Sequence, residues 1–401
     1  IFTSCAKNDS CPPWSISADK IIHDKEKKIL KYKNALLKIY NLPIFFLPKF
    51  FHPDPSVERQ SGFLQPSIND SNILGSSVNS PYFHVISDNK DLTFNPVIFD
   101  SGGNDKLRML QTEYRQENKS SSIITDFGII NNFKSESANK SKNLTHFFSN
   151  YDLDLQWDDF QESDLNISIE KVSKDNYLKI FENYMFDNSV RPKDYDVLTS
   201  EIKIDLVADT YSFNSGLSSY ESVNKRNNDR YQYVLPYYNF SSTLFSNDIG
   251  RLSLNSSGNN ILQNTNNLRS RVINDLNFNS DSFINNRFGF KNNFNIYFKN
   301  VNTVAKKDTV YKSSPQSELM NILEFNTSLP LIKYQNNETK LIKPDLSFRF
   351  NPGDMKNHST ADRKIDTKNI FLIDRLGIGD SLETGRSLTA GIEYRNTNNL
   401  N

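Results

Sequence analysis

The feature that most restricts this chain is a series of short segments, repeated over most of its length, in which apolar and polar side chains alternate. Leu165, Ile167 and Ile169 alternate with Asn166, Ser168 and Glu170, and Phe288, Phe290, Phe294, Ile296 and Phe298 alternate with Gly289, Lys291, Asn293, Asn295 and Tyr297. The pattern returns at residues 202–206, 272–278, 346–350 and 388–394. Successive side chains of a strand point to opposite faces, so a period of two gives every segment one apolar and one polar side. Loops rich in Asn, Ser and Asp divide the segments. Helices are scarce: residues 176–186 support a short one and so does the charged run 24–28, but neither has a cap and a stop. The fold class is all-β and antiparallel.

Composition separates the two architectures that such segments can build. In a soluble sandwich the apolar faces of two sheets meet and apolar content is ordinary. In an outer-membrane barrel those faces meet lipid while the polar faces line a wet lumen, so apolar content falls and aromatic girdles accumulate. Here only 36% of 401 residues are apolar, and the 14 Gly do not lift the total to the roughly 45–50% of a soluble domain. Aromatics nevertheless reach 12%. A barrel explains both; a secreted β-rich adhesin is the alternative that periodicity leaves open. Lys+Arg and Asp+Glu balance at 47 each, which argues against a nucleic-acid coat and, with so many aromatics, against disorder. No apolar run approaches the ~18 residues of a spanning helix. The longest, Leu42 to Phe51, is broken by Pro43, Pro48 and Lys49. The chain opens on Ile1, with neither Met nor a charged-then-apolar leader, so any secretory signal would lie upstream of it.

Residues 1–65 stand apart, rich in proline and carrying strand patterns at 14–19 and 29–40. In the second, Ala35, Leu37 and Ile39 share one face, and Leu36, Lys38 and Tyr40 the other. A piece this small has to continue a larger sheet or pack on the rest of the chain. Residues 66–401 carry the barrel pattern. Cys5 and Cys11 fit either a small disulfide or a reduced pair. With His23 they lack a fourth zinc ligand, and the five histidines have no metal-binding spacing. Residues 100–104 read as a turn rather than a phosphate loop. For a barrel-rim hydrolase the best local candidate is His84 with Asp88 or Asp91, set against the plainer reading of lumen and loop residues. Pro66 and Pro81 fall where the first two strands begin. Lacking an N–H, they either weaken pairing there or merely start a strand or turn.

Several stretches then resemble a known family. Cys11-Pro-Pro-Trp-Ser-Ile-Ser-Ala-Asp-Lys-Ile-Ile-His-Asp24, Tyr32-Lys-Asn-Ala-Leu36 and Leu42-Pro-Ile-Phe-Phe-Leu-Pro-Lys-Phe-Phe-His-Pro-Asp-Pro-Ser-Val-Glu-Arg-Gln-Ser-Gly-Phe-Leu-Gln-Pro-Ser67 are similar to LptD, the lipopolysaccharide-assembly or organic solvent tolerance (OstA) family, in an alphaproteobacterial style. Looser likeness continues in the family's order at Ser80-Pro-Tyr-Phe83, Asp91-Leu-Thr-Phe-Asn-Pro96, Glu113-Tyr-Arg115, Val172-Ser-Lys-Asp-Asn-Tyr-Leu178, Val234-Leu-Pro-Tyr237 and Asp374-Arg-Leu-Gly-Ile-Gly-Asp-Ser-Leu-Glu-Thr-Gly-Arg386.

The resemblance implies the end of a periplasmic β-jellyroll, residues 1–65, followed by a large outer-membrane barrel that delivers lipopolysaccharide to the outer leaflet through a lateral gate. It implies a lipid path, for which Trp14, Ile16, Ala35, Leu37 and Ile39 are the expected residues, and matches Pro66 and Pro81 to the prolines that loosen the gate. Implied partners are lipopolysaccharide, membrane lipid, an LptE-like lipoprotein plug and an LptA-like periplasmic bridge docked by strand addition; no cofactor, nucleic acid or bond-making step is implied. Arg108, Arg271, Lys291 and Arg349 are candidate lumen charges for phosphates or core sugars, with an ordinary solvated wall as the alternative. Studied members use a late cysteine pair in long-range disulfides, and no cysteine follows Cys11 here, so that maturation does not carry over. At roughly 20 residues per strand and turn, residues 68–401 supply about sixteen strands, and the chain reads as a fragment lacking both ends. A passive or ligand-gated porin is the competing transport reading.

Overall fold

The computed structural model describes residues 14–26, 28–39, 42–54, 56–57, 59–100, 107–133, 142–225, 230–264, 266–285, 287–335, 338–354, 364–376 and 379–398. Cys5 and Cys11 lie outside these residues. Two compact units account for the chain, one of residues 1–115 with 130–141 and one of 116–129 with 142–401.

The first unit opens with a separate three-stranded antiparallel sheet: β1 (Trp14–Asp24), β2 (Ile29–Ile39) and β3 (Leu42–Pro53), in that order. The charged run after Asp24 is the β1–β2 turn, not a helix, because ten register pairs from Trp14↔Ile39 to Asp24↔Ile29 draw it into a hairpin. One face carries the core: Ile16, Tyr32 and Ala35 are buried, with Ala18, Leu30, Leu37, Leu47 and Phe50 packed on them. Strict alternation would put Tyr32 and Ala35 on opposite faces. Asn34, at φ 53°, takes the left-handed conformation that Asn tolerates and switches the parity between them.

The remaining strands are those of an antiparallel barrel. In the first unit they are β4 (Gly62–Phe63), β5 (Ser67–Asn69), β6 (Ser77–Asn79), β7 (Tyr82–Ser87), β8 (Lys90–Phe99) and β9 (Arg108–Glu117). Then come β10 (Ser121–Phe133), β11 (Lys142–Asp154), β12 (Glu162–Val172), the short helix α1 (Tyr177–Phe181), a 3₁₀ turn (Glu182–Tyr184), β13 (Val197–Val207), β14 (Tyr211–Ser222), β15 (Tyr231–Asn247) and β16 (Gly250–Gln263). The series ends with β17 (Asn267–Ser280), β18 (Phe283–Asn285), β19 (Phe290–Lys306), β20 (Gln316–Ser328), β21 (Leu331–Gln335), β22 (Glu338–Asn351) and β23 (Gly385–Asn398). β17 and β18 pair the same neighbour, as do β20 and β21, and β4–β5 and β6–β7 are the two arms of one hairpin. Counting each such pair once gives sixteen transverse strands among the described residues.

The burial along these strands is inverted relative to a soluble sheet. On β8 the buried positions are the polar Asp91, Thr93 and Asn95 followed by Val97 and Phe99 towards the strand's end, while Phe94 and Ile98 are exposed. Glu324 is buried between exposed Leu323 and Phe325 on β20, and Ser347, Arg349 and Asn351 are buried on β22 while Leu346 and Phe348 are not. Phe294, Phe325, Phe348 and Leu388 are register partners across β19, β20, β22 and β23, forming a continuous outward apolar row. No solvated sheet gains from that arrangement; a sheet in lipid does. No described helix is long and apolar enough to cross a membrane.

In the second unit the connections 208–210 and 248–249 are tight, whereas those at the opposite end include 173–196, 307–315 and 352–384. Outer-membrane barrels keep short turns on the periplasmic side and long loops outside. Residues 173–196 fold over themselves, burying Tyr177, Leu178, Phe181, Tyr184, Met185 and Val190.

Candidate functional site

Of the five expected lipid-path residues, the sheet pairs Trp14 with Ile39 and Ile16 with Leu37, and Ala35 sits opposite Ala18 on the face that holds Ile16 and Leu37. The side chains of Trp14 and Ile39 are not among those described. Apolar surface is not confined to this face, since Phe46, the register partner of Leu36 on the other side, is also exposed. Two polar ties close the sheet's other end. His23 Nε2 meets Asp54 Oδ2 at 2.5 Å, and Tyr32 Oη lies 2.7 Å from His52 Nε2. Hydrogen bonds from Ser56, helped by His23, hold the Asp54 carboxyl below the usual carboxylate range; burial raises the Tyr32 phenol. His23 is thus committed to a carboxylate, and no group of three His, Cys, Asp or Glu able to hold a metal occurs among the described residues.

The first barrel hairpin is interrupted at its prolines. Gly62 pairs Phe83 and Phe63 pairs Tyr82, and pairing resumes only at Ser67↔Asn79. Leu64, Gln65 and Pro66 lie in the gap on one arm, Ser80 and Pro81 on the other, three residues against two. Neither proline has an N–H to give. Across the gap the Leu64 N–H donates to the Pro81 carbonyl at 2.8 Å. Side chains pin the hairpin on both sides of the break: Ser61 Oγ accepts from the Val85 N–H at 2.8 Å and Asn79 Oδ1 from the Ser67 N–H at 3.1 Å. The third strand repeats the interruption. β8 pairs Asn79↔Val97 and Tyr82↔Phe94, leaving Asn95 and Pro96 beside Ser80 and Pro81. Pro96 was not assigned a role from the sequence; a proline within an alternating strand was the available signal.

Charges are distributed differently from expectation in two places. Arg108 does not face the lumen: on β9 it shares the exposed side with Leu110, opposite buried Met109, Gln111 and Glu113. The inward cation of β9 is Arg115, whose Nε donates to Asp91 Oδ1 at 2.8 Å, with Arg59 on the other carboxylate oxygen. That arrangement also takes Asp91 out of the hydrolase candidate. Asp91 is buried and held by two arginines, while His84 is on the exposed face of β7 against Tyr82.

Arg271, Lys291 and Arg349 do lie on the inner side of the second unit. Lys291 lines a cavity of about 590 Å³ with Asn293, Asn326, Lys343, Asp345, Ser347 and Phe371, a lining of amides, hydroxyls and charges suited to sugar hydroxyls. Arg271 approaches Asp380 at 4.0 Å, and Arg349 is buried at 3.3 Å from Glu383. Both carboxylates belong to the segment before β23, folded against the wall through Leu382, which is buried with Ile273, Tyr297, Val301, Met320 and Ile322.

A second polar group inside this unit had no sequence motif. His146 of β11 places Nδ1 2.7 Å from Tyr177 Oη and Nε2 3.0 Å from Asp126 Oδ1, and Asn188 Nδ2 donates to Asp126 Oδ2 at 3.1 Å. An ionised carboxylate only accepts, so Nε2 carries the proton and Nδ1 accepts from the tyrosine. Burial pushes the Tyr177 phenol far above its ordinary range, which keeps it a donor. The His146 ring stacks on Phe148 at 4.6 Å and fills the space beside Gly128 where any Cβ would stand. With Asp126, His146 and Tyr177 buried and Asn188 half-buried, this is a clamp that ties residues 177–188 to β10 and β11, closed to substrate.

No protein-family model matches the chain. It is similar to the LPS-assembly protein LptD of Polaromonas sp., 33% identical over 122 residues, which is 29% of this chain and 15% of that protein. To that of Pseudoalteromonas translucida it is 30% identical over 177 residues, 44% of this chain and 22% of the relative. With that of Legionella pneumophila the identity is 24% over 243 residues, 56% and 27% respectively. The chain thus spans about a quarter or less of the length of these relatives.

Proposed function

The chain belongs to the LptD family of LPS-assembly proteins, and on that premise we propose that it is part of an outer-membrane translocon that takes lipopolysaccharide from a periplasmic bridge and releases it into the outer leaflet through a lateral gate. Residues 1–65 act on the periplasmic side, where acyl chains carry a penalty of ~0.8 kcal/mol per exposed CH₂ and need a continuous apolar track. The face of Ile16, Ala35 and Leu37 is that track. The outer edges of β1 and β3 suit strand addition by an LptA-like bridge, and an LptE-like plug completes the assembly.

The observation that carries the gate is the break at Pro66 and Pro81, where pairing lapses on both arms of one hairpin. A local opening needs the least free energy where the fewest backbone bonds must part. The lipid moves sideways through this weakness while its saccharide stays in the polar interior, beside Lys291, Arg271 and Arg349. No cofactor and no covalent step enter.

The test uses the full-length protein as the cell's sole copy. Deleting strands β1–β3 abolishes surface lipopolysaccharide, scored on intact cells with an antibody to its saccharide, while the barrel still inserts. Normal surface lipopolysaccharide in that deletion would point to a passive porin instead.

A further inference from the structure

The segment 379–384 is held on the inner wall by the burial of Leu382 and by a set of anion-to-cation contacts around it. The Gly379 carbonyl accepts from Lys299 Nζ at 3.1 Å, Asp380 meets Tyr311 Oη and Arg271, and Glu383 takes Arg349 Nη1 together with Nε and Nη2 of Arg375. Asn351 Nδ2 adds a bond to the Glu383 carbonyl at 2.9 Å. Arg349 is only 3% exposed, yet its Nε and Nη2 meet no acceptor. A guanidinium is a planar fork of five donors shaped for a bidentate oxyanion, and Glu383 reaches only one of its nitrogens. The site is therefore built for more oxygen than its present occupant supplies.

The surrounding charges define what else fits. Glu324 faces Arg349 across the strands, but its carboxylate is taken by the Asn295 and Asn326 amides at 2.7 and 3.0 Å. Asp275 pairs with Lys299 at 2.9 Å, and Asp374 and Arg375 arrive together on the covering chain. With Asp380 and Glu383 in place the four cations Arg271, Lys299, Arg349 and Arg375 face five carboxylates; without them Asp275, Glu324 and Asp374 remain and the wall has one positive charge in excess. An anion can bind here only by taking the place of that segment.

We propose that this wall is a binding site for a phosphate group borne on a saccharide, and that Asp380 and Glu383 are built-in stand-ins that the ligand displaces. The phosphate is argued from the Arg349 fork; the saccharide rests on the lipopolysaccharide reading. Binding lifts 379–384 off the wall, so the interior opens in response to cargo.

The test measures amide hydrogen exchange of residues 380–384 in the full-length detergent-solubilised protein. Three probes are compared: a deacylated diglucosamine carrying two phosphates, the same sugar dephosphorylated, and inorganic phosphate. The phosphorylated sugar is expected to speed exchange about tenfold, saturably, and the dephosphorylated one to leave it unchanged. Glu383→Gln, which removes the competitor, should bind the phosphorylated probe about fivefold tighter, and Arg349→Gln at least about tenfold more weakly. Protection of β16 and β17 reports folding in each variant, and Arg349→Lys, which keeps charge but loses the fork, should be intermediate. Inorganic phosphate matching the sugar would support the anion site and make free phosphate its source. Unchanged exchange with all three probes, or equal speeding by the dephosphorylated sugar, overturns the proposal. If the β1–β3 deletion still abolishes surface lipopolysaccharide, such a null sinks this site alone and leaves the transport reading standing.

Discussion

Placing an arginine at Phe348 tests the inverted face directly. Phe348 is 47% exposed in the row Phe294, Phe325, Phe348 and Leu388, so in water its replacement would shift stability by no more than ~0.5 kcal/mol. In lipid the same change places a cation on the apolar band, at about 2–4 kcal/mol near the midplane, a roughly 30- to 700-fold shift in the folding equilibrium. Position matters as much as size. Tyr394 lies six residues beyond Leu388 on β23, about 20 Å along a strand rising ~3.3 Å per residue. With strands tilted ~40° that is about 15 Å along the membrane normal, beyond half of an apolar band ~25 Å tall. Tyr394→Arg should therefore cost only about 0–1 kcal/mol. The assay is urea unfolding of the full-length protein from phospholipid vesicles, followed by the emission of Trp157, with Phe348→Leu as the volume control. Equal costs at 348 and 394, or no cost at 348, would refute the lipid-facing assignment.

Other perturbations address the gate and the buried clamp. Replacing Pro66 and Pro81 together by Thr restores two donors, each worth ~0.5–1.5 kcal/mol if paired, and should lower the surface lipopolysaccharide of intact cells by slowing lateral opening; undiminished delivery in the full-length double variant would count against a role for the prolines. Pro96→Thr should add to that effect, read in the same assay, and a triple variant no slower than the double would remove the third strand from the gate. Tyr177→Phe keeps the ring but leaves His146 Nδ1 buried without a donor, at about 1–3 kcal/mol, and should speed hydrogen exchange across residues 177–188; unchanged exchange would show that the clamp holds nothing. Gly128→Ala forces the His146 ring to move, and the pair of changes should be less than additive because they break one contact set.

How much of this was legible depended on whether the information is periodic. Alternation gave the strands around Leu165, Ile204, Ile273, Phe294, Phe348 and Leu388, and the spacing gave about sixteen spans, because a period of two survives any loop length. It also put Ala35 and Leu37 on one face. Parity breaks were invisible: Asn34 turns the strand over at a single residue, and nothing in its neighbours announces a positive φ. The same limit misassigned Arg108, since a strand whose start is uncertain by one residue exchanges its faces. Long-range polar groups were out of reach for a different reason. Asp126, His146, Tyr177 and Asn188 come from separate segments, and only the fold of residues 173–196 brings them together.

The uneven pairing of these strands bears on how one molecule can be both durable and able to open. β16 and β17 run through fourteen consecutive register pairs without a break, and β22 and β23 through another fourteen. The first hairpin has two pairs, a gap of three residues against two, and then three pairs. If each ladder bond contributes about 1 kcal/mol, parting a continuous ladder demands roughly three times the free energy of parting the interrupted one. Thermal opening is then easier at this hairpin than along β16–β17 or β22–β23. A chain under selection for stability alone would have no reason to place prolines at the same level of three successive strands while keeping long unbroken ladders beyond them. On the proposed reading the local rule is broken where the gate would open, and the remaining ladders supply the stability that makes the breach tolerable.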